Sequence, residues 1–231
     1  MDRLGKIGAT KMIWSVNDLL PKGGRWVEYL ESTGTQWIDT GVNARDTIKI
    51  DAFAEVTQTN TSTLSGCFFV INGVESSIDI GYGISAQRWF MRAFSSGTIS
   101  TQSVDSAWKW SAGIHRFYLD CNRAYVEVDG IGETRTKQVT GVSSVKIPMF
   151  ARKDSYGVIV NNTSGFRIYK YNISDGTTLA RNFRPIAIGT TGYMLDLVSG
   201  EYLPYDNKGT GDFVIGPDIS APAMGGGGVI S

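Results

Sequence analysis

Three observations in the 231-residue sequence predict an all-β protein, an antiparallel two-sheet sandwich. Twenty-eight glycines against six prolines, set among many Thr, Val, Ile, Tyr and Phe residues, mark short strands joined by tight turns. Apolar and polar residues alternate with period two in several runs, the signature of strands with one face on a core. The runs number roughly a dozen or more, with no amphipathic helix after residue 25, too many for one flat sheet.

Taken in order, residues 1–23 form an N-terminal arm. Its run "KMIWSVNDLLPKGG" carries more apolar side chains than a free arm needs. Met12, Ile13, Trp14, Leu19 and Leu20 are therefore candidate partner-anchoring residues, with a frayed arm or a local helix on its own domain as the alternative. Next, "WVEYLESTGTQWIDTGV" reads as two short strands meeting at "STGT". Alternation there sets Trp26, Glu28 and Leu30 against Val27, Tyr29 and Glu31, so the acids do not converge; Gln36 and Asp39 are polar positions of the second strand.

In "TIKIDAFAEV", Ile48, Ile50, Ala52, Ala54 and Val56 face inward; so do Phe117 and Leu119 in "HRFYLD", and Ala124, Val126 and Val128 in "RAYVEVDG". Turn chemistry punctuates these runs at "DCN", "DGIG", "NNTSG", "SDGT" and "DNKGTG". The sandwich is expected to span 24–216. Beyond it, 217–231, with "PAMGGGGVIS", forms an extended Gly-rich tail.

Lys+Arg and Asp+Glu both number 22, a formal charge of zero, which argues against a broad nucleic-acid or anionic-membrane footprint. No run of 18 apolar residues is present, so no membrane insertion is expected. The first residues lack the apolar core of a secretory signal. The two cysteines, Cys67 and Cys121, have no CxxC or histidine partners at metal-ligand spacing. They read as two small buried thiols, with a mutual disulfide as the alternative. No phosphate-binding loop, dinucleotide fingerprint, HExxH or nucleophile elbow occurs, so no cofactor and no metal are expected.

"EYLESTGTQWIDTGV" closely resembles the opening of a group of proteins encoded by phages, prophages and gut bacteria. "FRIYKYNISDGTTLARNFRPI" and "GYMLDLVSGEYLPYDNKGTGDFVIG" are similar to that group's C-terminal segments. "GIHRFYLDCNRAYVEVDGIGE" is similar to the strand–hairpin–strand of concanavalin A-like, laminin G-like sandwiches. The resemblance covers most of residues 27–216 and implies a concanavalin A-like jelly roll. It further implies a non-enzymatic virion structural protein: a head fibre, head decoration or tail appendage on the virion surface, assembled in the host cytoplasm. The expected partners are other virion proteins and further copies of the chain in a homo-oligomer. A carbohydrate-binding adhesin is the alternative, and a glycoside hydrolase the least favoured reading.

Carbohydrate recognition would use exposed aromatic faces with polar neighbours. "SAWKWSAG" sets Trp108 and Trp110 on one face of an extended segment, and "QRWFMRAF" adds Arg88 and Trp89. These four residues are the candidate site for a cell-surface glycan, although a sandwich core also demands large aromatics. "EVDGIGE" approaches the carboxylate spacing of sandwich-fold glycosidases. Glu127 and Asp129 share a face, but the Asp129–Gly130 turn should send Glu133 onto the neighbouring strand, so no catalytic residue is assigned. His115 reads as a structural or surface residue. "YDNKGTGD", with Asp206, Asn207 and Asp212, has the oxygen ligands of a calcium loop but equally those of a plain turn.

Overall fold

The structure, a computed structural model, describes residues 15–57, 62–83, 88–96, 111–134, 136–137, 139–162, 164–203, 206–207 and 211–222. After a short 3₁₀ turn (Val16–Leu19) come β1 (Gly24–Trp26), β2 (Leu30–Thr33), β3 (Gln36–Arg45) and β4 (Ile48–Val56). β5 (Ser62–Ile71), β6 (Val74–Gly83) and β7 (Arg88–Ser96) follow as a meander, then β8 (Ile114–Asp120), β9 (Tyr125–Val128) and β10 (Ile131–Thr134). The remaining strands are β11 (Val142–Met149), β12 (Ala151–Lys153), β13 (Ile159–Asn162), β14 (Ser164–Asp175), β15 (Thr178–Ile188), β16 (Thr191–Asp196), β17 (Tyr202–Leu203), β18 (Asp206–Asn207) and β19 (Val214–Ile215).

The strands form a sandwich. Its large sheet runs β10-β9-β8-β4-β14-β15-β16-β17, with β1 added on β15, β2 on β14 and β19 on β2. The facing layer has two parts, β11-β3-β18 and β13-β12-β5-β6-β7. β11 and β12 are consecutive, separated only by Phe150, which is buried at φ 60°. One bent run of chain thus pairs with β3 through its first half and with β5 through its second. All strand pairings are antiparallel except β12 with β5.

The predicted alternation is realised. Ile48, Ile50, Ala52, Ala54, Val56, Phe117, Leu119, Val126 and Val128 enter one continuous core with Phe69, Phe166, Phe183 and Met194, where each large side chain contributes about 1.5–3 kcal/mol of transfer free energy. Asp129 (φ 51°) and Gly130 (φ 82°) make the tight β9–β10 turn, so Glu133 lies opposite Val126 on the next strand.

Two expectations change. "STGT" is not the turn of a hairpin: β2 pairs with β14 and β19 in the large sheet, whereas β3 pairs with β11 and β18 in the facing layer. The turn carries the chain from one layer to the other. Strand pairing also runs past residue 216, because Asp218 bridges to Val27, the Glu28 N–H donates to the Pro217 carbonyl and the Ile219 N–H to that of Trp26.

A second, smaller apolar cluster lies on the outer face of the large sheet. Val16, Trp26, Ile186 and Leu195 are buried there, with Leu19, Leu20 and Ala221 packed against them. Trp26 Nε1 donates to Asn17 Oδ1 at 2.8 Å, holding the 3₁₀ turn over the cluster.

Candidate functional site

Of the predicted anchoring residues, Leu19 and Leu20 are engaged by their own domain, as the local alternative has it, because covering Trp26 and Leu195 removes apolar area from water. Met12, Ile13 and Trp14 lie outside the described residues, as do Trp108 and Trp110 and the side chain of Arg88. Trp89 corrects the glycan platform. It is 2% exposed, and Phe117, His115 and Tyr82 surround it with ring centroids at 4.9, 5.1 and 5.7 Å. It is a core residue with no face for a sugar.

The carboxylates of "EVDGIGE" have structural partners. Glu127 accepts from Tyr125 Oη at 2.8 Å. Asp129 accepts the Arg116 N–H at 2.8 Å and pairs with His115 Nδ1 at 2.5 Å. His115 is buried, and its Nε2 faces the Ser111 carbonyl at 2.9 Å. With acceptors at both nitrogens, the ring ties the start of β8 to the β9–β10 turn. Asp206 and Asn207 pair through their backbones with Trp37 and Gln36, and Asp212 is exposed. Among the described residues no three His, Cys, Asp or Glu side chains cluster as a metal site. Cys67 and Cys121 are free, buried thiols, and burial pushes both up.

The opening run gathers its polar groups into two structural ties. Gln36, fully buried, accepts at Oε1 from the Thr33 N–H (2.9 Å), and its Nε2 donates to Thr35 Oγ1 and the Gly211 carbonyl, both at 2.9 Å. On the outer face of the large sheet, Arg167 donates to Glu31 at 2.9 Å and Glu55 at 3.2 Å and lies 4.4 Å over the Tyr29 ring. Burial acts to lower Arg167, but the hydrogen bond and charge of Glu31 carry it well above the usual guanidinium value. Asp79 forms a third tie on the facing layer: fully buried, it takes Arg92 and Arg152 on one oxygen, Oδ2, each at 3.1 Å.

The concavity that sequence reasoning missed is an open groove of about 420 Å³ on the outer face of the large sheet. Register builds it: Asp51 lies opposite Tyr118 on β8 and Asn172 on β14, and Lys49 lies opposite Asp120 and Ser174. Since Ile48, Ile50 and Ile173 point inward, these residues must point out. Gly176 and Thr177 of the β14–β15 turn, with Leu179 of β15, close one end.

Cations crowd a single carboxylate here. Arg116 Nε donates to Asp51 at 2.7 Å, and Lys170 Nζ lies 3.6 Å from the same carboxylate. Arg184 donates to Asn172 Oδ1 at 3.2 Å and to the Phe183 carbonyl at 2.8 Å. Burial brings Arg184 down to about 10, opposed by the Asp51 charge. It lowers Lys170 too, with Asp51 opposing and Arg184 assisting. No sequence motif marks this site, because its residues lie far apart in the chain.

Comparison of the chain with models of protein families, with curated proteins and with solved structures finds no match. No helix among the described residues is long and apolar enough to cross a membrane.

Proposed function

We propose that the chain is a non-enzymatic bacteriophage structural protein, a head fibre, head decoration or tail appendage displayed in several copies on the particle. One observation carries the reading. The run "EYLESTGTQWIDTGV", which bears the likeness to phage and prophage proteins, spends its polar side chains on holding the sandwich together: Gln36 ties the layer crossing to Gly211, and Glu31 is locked to Arg167. A run whose polar side chains serve the fold points to a scaffold rather than to a chemistry. The structural partners of Glu127, Asp129 and His115 favour the same reading over glycoside hydrolysis. Antibodies against the purified chain should decorate phage particles released from the host that encodes it, as seen by electron microscopy. A chain found only in the host lysate, or reducing-sugar release from a polysaccharide that Glu127→Gln abolishes, would overturn the proposal.

A second reading, glycan recognition by the displayed module, is favoured by the groove, which sets the Tyr118 ring beside hydroxyl and amide groups of Ser174, Thr177 and Asn172.

A further inference from the structure

We propose that the groove binds an anionic sugar unit, carrying a carboxylate or a sulfate, within an acidic polysaccharide; this rests on the glycan-recognition reading. The charge arrangement argues for it. Lys49 and Arg116 line the groove, and Lys170 and Arg184 stand behind it. Arg116 and Lys170 both converge on Asp51, so that one carboxylate serves two cations. Two other acids are in reach: Asp120 lies 3.8 Å from Lys49 but takes Arg123 at 3.0 Å, and Glu127, which accepts from the Tyr125 hydroxyl, lies 3.5 Å from Arg116. Arg184 meets amide and backbone oxygens, and no carboxylate among the described residues pairs with it.

Lys49, Arg116, Arg123, Lys170 and Arg184 share the three carboxylates of Asp51, Asp120 and Glu127, so an arriving anion meets surplus positive charge and gains more than a neutral hydroxyl does. The rest of the lining fits a sugar ring rather than a bare ion. Tyr118 brings an aromatic ring with Arg116 5.5 Å over it, Leu179 an exposed apolar edge, and Asn172, Ser174 and Thr177 hydrogen-bonding groups for hydroxyls. Asp51, fixed by Arg116, accepts from a hydroxyl and repels a second acid group, which orients the anionic substituent toward Lys49 and Arg116.

The test is binding of the full chain to matched oligosaccharides. Oligogalacturonates, sialyllactose and heparin hexasaccharides are compared with methyl-esterified oligogalacturonates, lactose and dextran oligosaccharides, with a DNA duplex as a non-sugar polyanion. At least one acidic member should bind, its neutral counterpart about tenfold or more weakly, as expected for loss of one charge-assisted hydrogen bond. Lys49→Gln, at a partly exposed position, and Arg116→Gln should each lose a similar factor while melting as cooperatively as the parent; Tyr156→Ala, an exposed position outside the groove lining, should lose nothing. The arm that binds separates carboxylate from sulfate as the source of charge. Equal binding of acidic and neutral partners overturns the anionic assignment and leaves glycan recognition standing. Binding unaffected by both groove substitutions places the ligand elsewhere. Binding of DNA as tight as the acidic sugars reduces the site to a general polyanion surface and overturns the proposal. No binding of any sugar overturns this inference and the glycan reading together, while leaving the virion reading to its own test.

Discussion

Gln36 donates from Nε2 to the carbonyl oxygen of Gly211 at 2.9 Å, across 175 positions of sequence. The same buried amide holds Thr33 and Thr35, so it fixes the point where the chain leaves the large sheet for the facing layer. Gln36→Ala should remove the bonds to the Thr33 N–H and the Gly211 carbonyl, both on exposed residues that water can reach, and cost about 1–2 kcal/mol. Chemical denaturation with an unchanged m-value checks this, and Gln36→Glu should not restore the loss, since a carboxylate cannot donate to Gly211.

Asp79 and its two guanidiniums predict a pH dependence. Burial raises this carboxyl above its ordinary 3.8, and Arg152 and Arg92 pull it back only in part. As pH rises from about 3.8, the unfolded chain ionises Asp79 before the folded one does. Stability relative to acid therefore falls until the folded value is passed, then levels. The difference between the parent and Asp79→Asn, measured by denaturation across that range, should show this slope. Asp79→Ala, leaving Arg92 and Arg152 uncompensated at 12% and 15% side-chain exposure, should cost about 3–5 kcal/mol at neutral pH.

Cys67 and Cys121 are fully buried and pushed away from the thiolate form. A disulfide-exchange reagent should label neither in the folded protein and both after unfolding. Rapid labelling of either under native conditions would contradict the packing described above.

Gly192 approaches the core so closely that a Cβ there would stand 2.5 Å from Leu30 Cδ2. Leu30 is fully buried, so its side chain must shift within the core to make space. Gly192→Ala should therefore destabilise by about 1–3 kcal/mol through overpacking, lowering the melting temperature, even though alanine is ordinarily tolerated in strands.

Much of the fold was legible because antiparallel strands with one wet face write their orientation into every second residue: β4, β8 and β9 could each be assigned as half-buried strands from Ile48, Phe117 and Val126. Which layer a strand joins is not written locally. "STGT" has the composition of a hairpin turn, yet the partners of β2 and β3 lie far along the chain, on β14 and β11. Burial of polar residues was equally hidden, since Gln36 and Asp79 are accepted inside only because distant groups satisfy or neutralise them. Trp89 misled for the opposite reason: a large aromatic beside a polar run suits a binding face or a core equally, and Phe117 and His115 decide for the core. The groove was invisible because strand register alone brings together residues from four strands and a turn.

The bridge between Val27 and Asp218 has a mechanical consequence. Segments 26–31 and 214–219 run side by side, and β1 meets β15 at Gly24–Ile188, whereas the groove lies beside Thr177 and Leu179 at the start of that strand. The ten steps from Thr178 to Ile188 span about 33 Å of extended chain. The end of the large sheet where these segments pair is thus stiffened by two added strands, and the groove opens at the opposite end of β15.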